Sequence, residues 1–230
     1  DDCSSRGLGD VYKRQGRAGR YLNDGSFGIT GECGEINPEE IEALEQHKFP
    51  EIQQIFWRNS KLNFSSKLNL IKSLEEKPDK EWLRRIYECE DEKALKYFLK
   101  DATDFQILEN SYDLKILWEC CQIPDFVKKT YGNHLEIISK VFKFLTNENK
   151  RIPNQYMKEQ LASLDKIEGN VDSISNRIAN VRTWSYVANK ANWVENQDYW
   201  VERAKNLEDK LSDRLHEELT KTFIDKRASV

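Results

Sequence analysis

Two arginines stand three positions apart near the start of the chain, in the run Gly16-Arg17-Ala18-Gly19-Arg20. Glycine permits tight turns and a close backbone approach to a ligand. Arginine presents a planar fork of donors that matches phosphate oxygens. Such a loop can direct Arg17 and Arg20 at one polyphosphate, as an arginine finger does when charge develops on a γ-phosphate. The same run is also typical of a solvated turn, so its spacing alone leaves both interpretations open.

A second stretch interleaves basic and aromatic side chains, with Arg177, Arg182 and Lys190 placed around Trp184 and Tyr186. Single-strand nucleic-acid grooves use this combination, because cations contact phosphates while bases stack on rings. Trp184 also falls on an apolar helical stripe, which favours a role in the core. The three cations are equally typical of a solvated helix face, so they are candidate nucleic-acid contacts and nothing more.

No other set of residues has the spacing of a catalytic or metal site. The five cysteines form no C-x-x-C pair, which argues against structural zinc, and their odd number without a framework favours a reducing compartment. His47, His134 and His216 fall in separate helical segments and are typical of ordinary helix positions. We therefore expect this chain to bind no metal.

The bulk composition restricts the classes of protein that the chain can belong to. It has 230 residues, a net charge of −4, 38% hydrophobic residues and 33% charged residues. The acidic balance, with a pI of about 5.6, argues against a generally basic nucleic-acid-binding module, so any such contact must come from a local groove. No apolar run approaches the roughly 20 residues that span a bilayer, so we expect no membrane partner.

Apolar periodicity predicts a nearly all-α chain with one short strand, at residues 26–30. Asn37 caps the first predicted helix, and Ser66 caps a helix that carries Leu68, Ile71 and Leu74. Other helices are predicted over residues 51–59, from 78 to 87, from 91, over 114–121, over 134–145, and from Pro153 to a stop at Gly169. Residues 171–191 and 197–225 predict two long helices that pack as an antiparallel hairpin.

The run at residues 16–20 resembles the sixth conserved motif of superfamily-two helicases, whose pattern ends in Gly-Arg-x-Gly-Arg. Residues 21–33 (YLNDGSFGITGEC) resemble the short strand that leaves this motif in the mitochondrial degradosome RNA helicases and their bacterial relatives. Three further segments resemble the C-terminal helical region of the same family, particularly its alphaproteobacterial members: 114–126 (LKILWECCQIPDF), 177–194 (RIANVRTWSYVANKANWV) and 207–230 (LEDKLSDRLHEELTKTFIDKRASV).

The resemblance implies the C-terminal part of an ATP-dependent RNA helicase. Residues 16–36 would end the second RecA-like motor domain, and residues 37–230 would form an α-helical domain that encloses single-stranded RNA. Gly16, Arg17, Gly19 and Arg20 would contact ATP bound on the first motor domain. That domain supplies the Walker lysine and the Mg²⁺ ligands, and its G-x-x-x-x-G-K-[ST] and Asp-Glu-x-His motifs do not occur here. We therefore expect the chain alone not to hydrolyse ATP.

The resemblance also implies partners and a location. The expected partners are RNA, single-stranded or duplex, with DNA as the alternative nucleic acid, and an exoribonuclease in RNA turnover. The expected location is the cytoplasm of a bacterium, or the mitochondrial matrix in a eukaryote. Two other functions stay open: a non-catalytic helical interaction scaffold in which the run at 16–20 is incidental, and a DNA helicase of the same superfamily.

Residues 1–15 (DDCSSRGLGDVYKRQ) differ in character from the rest of the chain, with little apolar periodicity and no helix cap. Most of this stretch resembles translated sequencing-adapter or vector read-through. The helicase motif normally carries Gln three residues before its first Gly, and Lys13 stands there instead. We therefore interpret residues 1–15 as a non-native leader. A flexible native N-terminus is the alternative.

Overall fold

The computed structural model describes residues 25–26, 28, 36–46, 48, 51–87, 89–100, 110–128 and 130–228, with side chains as far as Lys221. Within these residues the protein is mainly helical, which confirms the predicted fold class. The helices described are α1 (Pro38–Glu45), α2 (Lys67–Leu74), α3 (Glu90–Lys100), α4 (Ser111–Cys121), α5 (Tyr131–Thr146), α6 (Asn154–Leu164), α7 (Val171–Asn189) and α8 (Gln197–Ala228). No helix in this part of the chain is long and apolar enough to cross a bilayer.

Short polar side chains begin several of these helices. The Asn37 side chain accepts a hydrogen bond from the Glu39 backbone N–H at 3.1 Å, and Ser66 accepts one from the Asn69 N–H at 3.1 Å. Asparagine caps also begin α4 and α7. Each cap satisfies a backbone N–H that has no partner within its helix. The caps predicted at Asn37 and Ser66 are therefore confirmed.

Two segments predicted as helices contain strands instead. Strand β1 (Ile55–Trp57) lies in the predicted helix at 51–59, and strand β2 (Leu83–Arg85) lies in the predicted helix at 78–87, so both predictions are wrong. The two strands pair as a small parallel sheet. Of the strand predicted at 26–30, Ser26 and Gly28 are described, without regular structure. The rest of that segment lies outside the described residues.

Ion pairs to helix α3 explain why these two segments stay extended. Arg85 on β2 pairs with Glu92 at 3.2 Å, and its Nε donates to the Leu74 carbonyl at 3.0 Å. Arg58, which follows β1, donates to both carboxylate oxygens of Asp91, at 2.7 and 3.0 Å. The Glu92 side chain is only 1% exposed, and leaving such a charge unpaired is costly. These bonds outweigh the local helical pattern, which carries no information about distant partners.

By internal contacts the chain divides into two units, Asp1–Ile55 and Phe56–Val230. The second unit has a hydrophobic core to which helices α2 to α8 all contribute. The predicted helix α2 is present, and it buries Leu70 and Leu74 while Leu68 is exposed. The domain boundary predicted between residues 36 and 37 stays a prediction.

The C-terminal helical hairpin is present as predicted. Helices α7 and α8 pack against each other. The apolar stripe of α7 is buried, and that of α8 is buried from Trp200 to Leu211, whereas Leu219 is 37% exposed. One boundary is wrong: α6 ends at Leu164 with Asp165 as its cap, and Gly169 lies in the connection to α7 with φ of +130°. Asp165 leaves the helical conformation, with φ of −77° and ψ of 61°, and cations from α8 bind its carboxylate.

Candidate nucleic-acid interface

The predicted nucleotide contacts, Gly16, Arg17, Gly19 and Arg20, lie outside the described residues. Their role at the γ-phosphate of ATP therefore stays a prediction. The three predicted nucleic-acid contacts do lie within the described part of the chain, on α7 or at its end, and each has a different environment.

Arg177 fastens the loop between α6 and α7. Its Nη1 donates to the backbone carbonyls of Lys166 and Glu168, at 2.7 and 2.6 Å. Gly169 follows in a backbone conformation that L side chains rarely adopt, and a Cβ there would lie 3.4 Å from the guanidinium. The guanidinium is thus folded onto its own loop, and only its remaining N–H groups are available to a phosphate.

Arg182 joins the two helices of the hairpin. Its Nε donates to Oε1 of Glu208 at 2.7 Å, and both side chains are partly open to solvent. Exposed ion pairs of this kind contribute at most about 1 kcal/mol to stability, so the guanidinium can separate from Glu208. A polyanion would nevertheless have to compete with this carboxylate for Arg182.

Lys190 has no carboxylate partner among the described residues. Its Nζ lies 5.0 Å from the centre of the Tyr186 ring and 5.8 Å from that of Trp193. Cation–π contacts position the ammonium but leave its charge uncompensated. Lys190 also closes α7, where the helix dipole favours a cation. Of the three predicted contacts, Lys190 is therefore the best placed to attract a phosphate.

Trp184 belongs to the core, as its place on the apolar stripe predicts. It is 3% exposed, and its ring packs edge-on against Tyr156, with centroids 5.6 Å apart. A buried ring cannot stack on a base, so Trp184 takes no direct part in a nucleic-acid surface.

Three cations of α8 converge on the loop that Arg177 fastens. Arg203 and Lys210 bind the two carboxylate oxygens of Asp165, at 3.2 and 2.6 Å, and Arg214 donates to the Ile167 carbonyl at 3.3 Å. The hydrogen bond from Lys210 lowers the pKa of Asp165, and the charge of Arg203 adds to this effect. Arg203, Lys210 and Arg214 are seven and then four residues apart, so they share one face of α8. This spacing is the sequence signal that could have indicated a basic stripe on that helix.

Within the described residues, the buried thiols and the buried imidazole are poorly suited to catalysis. Burial raises the pKa of Cys120 and of Cys121, which keeps both thiols protonated and unreactive. Burial likewise lowers the pKa of His134, against the opposing charges of Asp125 and Glu90. In this part of the chain no three His, Cys, Asp or Glu side chains come close enough together to hold a metal ion.

No family model, no curated protein and no solved structure matches the chain. The resemblance to the degradosome RNA helicases therefore stays an expectation that is carried by the sequence segments at residues 16–33, 114–126, 177–194 and 207–230.

Proposed function

We propose that this chain is the C-terminal part of an ATP-dependent RNA helicase that acts in RNA turnover. The observation that carries the proposal is the Gly-Arg-x-Gly-Arg run at residues 16–20, followed by segments that resemble one helicase family as far as residue 230. The mainly helical fold of the described residues supports the proposal, because the corresponding region of that family is helical.

In this proposal Arg17 and Arg20 act on the phosphates of the substrate ATP, which binds to a motor domain outside this sequence. A guanidinium keeps its charge at physiological pH, so the pair stabilises the negative charge that develops on the γ-phosphate. Gly16 and Gly19 let the backbone bring both side chains close. The Mg²⁺ that accompanies ATP is bound by the same motor domain.

The helical domain then encloses the single strand, so that opening and closing of the motor moves RNA past it. Lys190 supplies an uncompensated charge for a phosphate on this domain. Arg177 and Arg182 contribute less, because each already binds a backbone carbonyl or a carboxylate of the chain.

The most decisive test of the proposal is the variant Arg20→Ala in the full-length parent protein. RNA-stimulated ATP hydrolysis is expected to fall about 10³-fold or more, the usual contribution of an arginine finger. Steady-state hydrolysis at saturating RNA measures this, and the circular dichroism spectrum should not change. Arg151→Ala, at an exposed arginine without an ion pair among the described residues, is the matched control and should keep full turnover. Full turnover in Arg20→Ala would end the helicase assignment.

A non-catalytic helical scaffold is the second candidate, and the internal engagement of Arg177 and Arg182 favours it. The upstream reading frame separates the two functions. A helicase requires a Walker loop and an Asp-Glu-x-His box there, whereas a scaffold requires neither. Comparing the stimulation of ATP hydrolysis by RNA and by DNA of the same sequence tests the DNA-helicase alternative.

A further inference from the structure

The two-stranded sheet and the turn before β2 present exposed aromatic rings and cations to solvent. Phe56 and Arg84 are the middle residues of β1 and β2, so strand pairing places them side by side, about 5 Å apart. Both are exposed, Phe56 to 68%. Trp82 lies in the turn that leads into β2, two residues before Arg84, and is 49% exposed. Together with Lys80, these residues are called the ribbon face below.

Both cations of the ribbon face lack a carboxylate partner among the described residues. The Nζ atom of Lys80 lies 5.2 Å from the centre of the Trp82 ring, and that side chain is half exposed. Arg84 is exposed at the middle of β2. In contrast with Arg182 on α7, which binds Glu208, the Arg84 guanidinium donates to no side chain or carbonyl of the described residues.

Two ion pairs, one from β2 and one from the residue after β1, hold the strands in place. Arg85, the neighbour of Arg84, turns inward to the buried carboxylate of Glu92. Arg58, which follows β1, binds Asp91 and lies 4.9 Å from the centre of a ring of Trp118. The exposed rings are therefore presented in a preorganised arrangement, which reduces the entropy lost on binding.

We propose that the ribbon face is a stacking site for the unpaired bases of single-stranded RNA. The proposal rests on the RNA-binding function proposed above and assigns part of that function to named residues. Aromatic rings interleaved with cations are the combination that single-strand sites use, since bases stack on the rings while cations meet phosphates. A protein partner covering the same rings would have to desolvate two unpaired cations, which favours RNA as the occupant.

Stacking provides most of the affinity at this site. The exposed carboxylates of Asp79 and Glu81, in the turn before β2, offset much of the positive charge of Lys80 and Arg84. Two phosphate contacts predict a shallow salt dependence, with a slope of about −1.4 in log K against log salt concentration. A site that depended on a large basic patch would show a much steeper slope.

The test measures binding of a labelled oligouridine of about twelve nucleotides to the full 230-residue chain by fluorescence anisotropy. Phe56→Ala/Trp82→Ala is expected to weaken binding at least about tenfold, since each lost ring removes a base stack. Trp82→Phe keeps a ring and should stay near the wild-type affinity. Arg84→Gln should reduce the magnitude of the salt slope by about 0.7. An abasic oligomer of equal length should bind the wild-type chain as weakly as oligouridine binds the double variant.

Two matched controls remove a comparable side chain elsewhere. Tyr199→Ala deletes a similarly exposed ring, and Arg151→Gln deletes an exposed arginine without an ion pair among the described residues; both should bind like the wild type. All variants should unfold at the wild-type temperature, because the replaced side chains are exposed.

Wild-type affinity in the double variant, or no oligouridine binding by the wild-type chain, overturns the ribbon face as an RNA site and leaves a protein as its occupant. An equal loss in Tyr199→Ala overturns it as well. These outcomes are separate from the Arg20→Ala result. Failure of the hydrolysis test removes the helicase function, whereas failure of the binding test removes only this site.

Discussion

The α7–α8 hairpin and the ribbon face both derive from sequence that interleaves basic and aromatic residues, yet they present these residues in opposite ways. On α7 the ring of Trp184 is buried and Arg182 is paired with Glu208. On the ribbon face Trp82 and Arg84 are exposed, and Arg84 forms no ion pair within the described residues. The pairing state of the cations, rather than the composition, thus distinguishes a structural helix from a surface open to a polyanion.

The difference follows from the period of each element. A helix that packs against neighbours on several sides turns every third or fourth residue toward one of them, so rings enter the core and cations reach acids on the next helix. A strand alternates its side chains between two faces, and here the side chains of Phe56 and Arg84 lie in solvent, as does that of Trp82 in the turn before β2. The same residue types therefore contribute to stability in one region and remain available for binding in the other.

The largest expected effect is a difference in stability between a tryptophan-to-alanine substitution in the hairpin and one in the ribbon face. Trp184→Ala should lower the free energy of unfolding by about 4 kcal/mol, because it leaves a large cavity in the core. Trp82→Ala should lower it by less than about 0.5 kcal/mol, because the ring is half exposed. Urea unfolding followed by far-ultraviolet circular dichroism measures both. Similar losses in the two variants would contradict the contrast between the regions.

The next effect concerns the ion pairs that hold the strands in place. Glu92→Ala should lower the free energy of unfolding by about 3 kcal/mol, because it leaves the poorly exposed guanidinium of Arg85 without its carboxylate. Glu81→Ala, in the exposed turn before β2, is the matched control and should change stability by less than about 0.5 kcal/mol. If the two variants unfold at the same urea concentration, the buried pair does not hold the ribbon face in place.

The smallest effect belongs to the hairpin and depends on pH. Because Lys210 and Arg203 lower the pKa of Asp165 in the folded state, its carboxylate stabilises the fold above its ordinary pKa of 3.8. That contribution is lost as the pH falls through the lowered, folded-state pKa. Asp165→Asn should therefore cost about 0.5 kcal/mol at neutral pH and almost nothing well below its folded-state pKa.

Urea unfolding of Asp165→Asn and of the wild type, at neutral pH and at a pH well below the folded-state pKa of Asp165, measures this difference in unfolding free energy. Asp209→Asn, at an exposed carboxylate on α8, is the control and should show no such change with pH. A cost for Asp165→Asn that stays constant with pH would mean that the ion pairs to α8 contribute nothing.

The sequence predicts best where the determining interactions are local. The caps at Asn37 and Ser66 act within three residues, and the buried stripe of α7 follows from helical period alone. The predicted helices at 51–59 and 78–87 are wrong because Arg58 binds Asp91, 33 positions on, and Arg85 binds Glu92, seven positions on in the next helix. A helical pattern within one segment reports neither pair. For the candidate site, the core position of Trp184 could be predicted, whereas the partners of Arg177 and Arg182 could not.

By itself, the sequence determined the mainly helical class of the described residues, the caps of several helices and the apolar stripes of the hairpin. These features depend on hydrogen bonds and burial patterns within one or two helical turns. Tertiary structure alone decided which cations are compensated, since Arg182 meets Glu208 across 26 positions and Asp165 meets Lys210 across 45. It also decided which rings face solvent, because exposure depends on which elements pack together and not on the residue type.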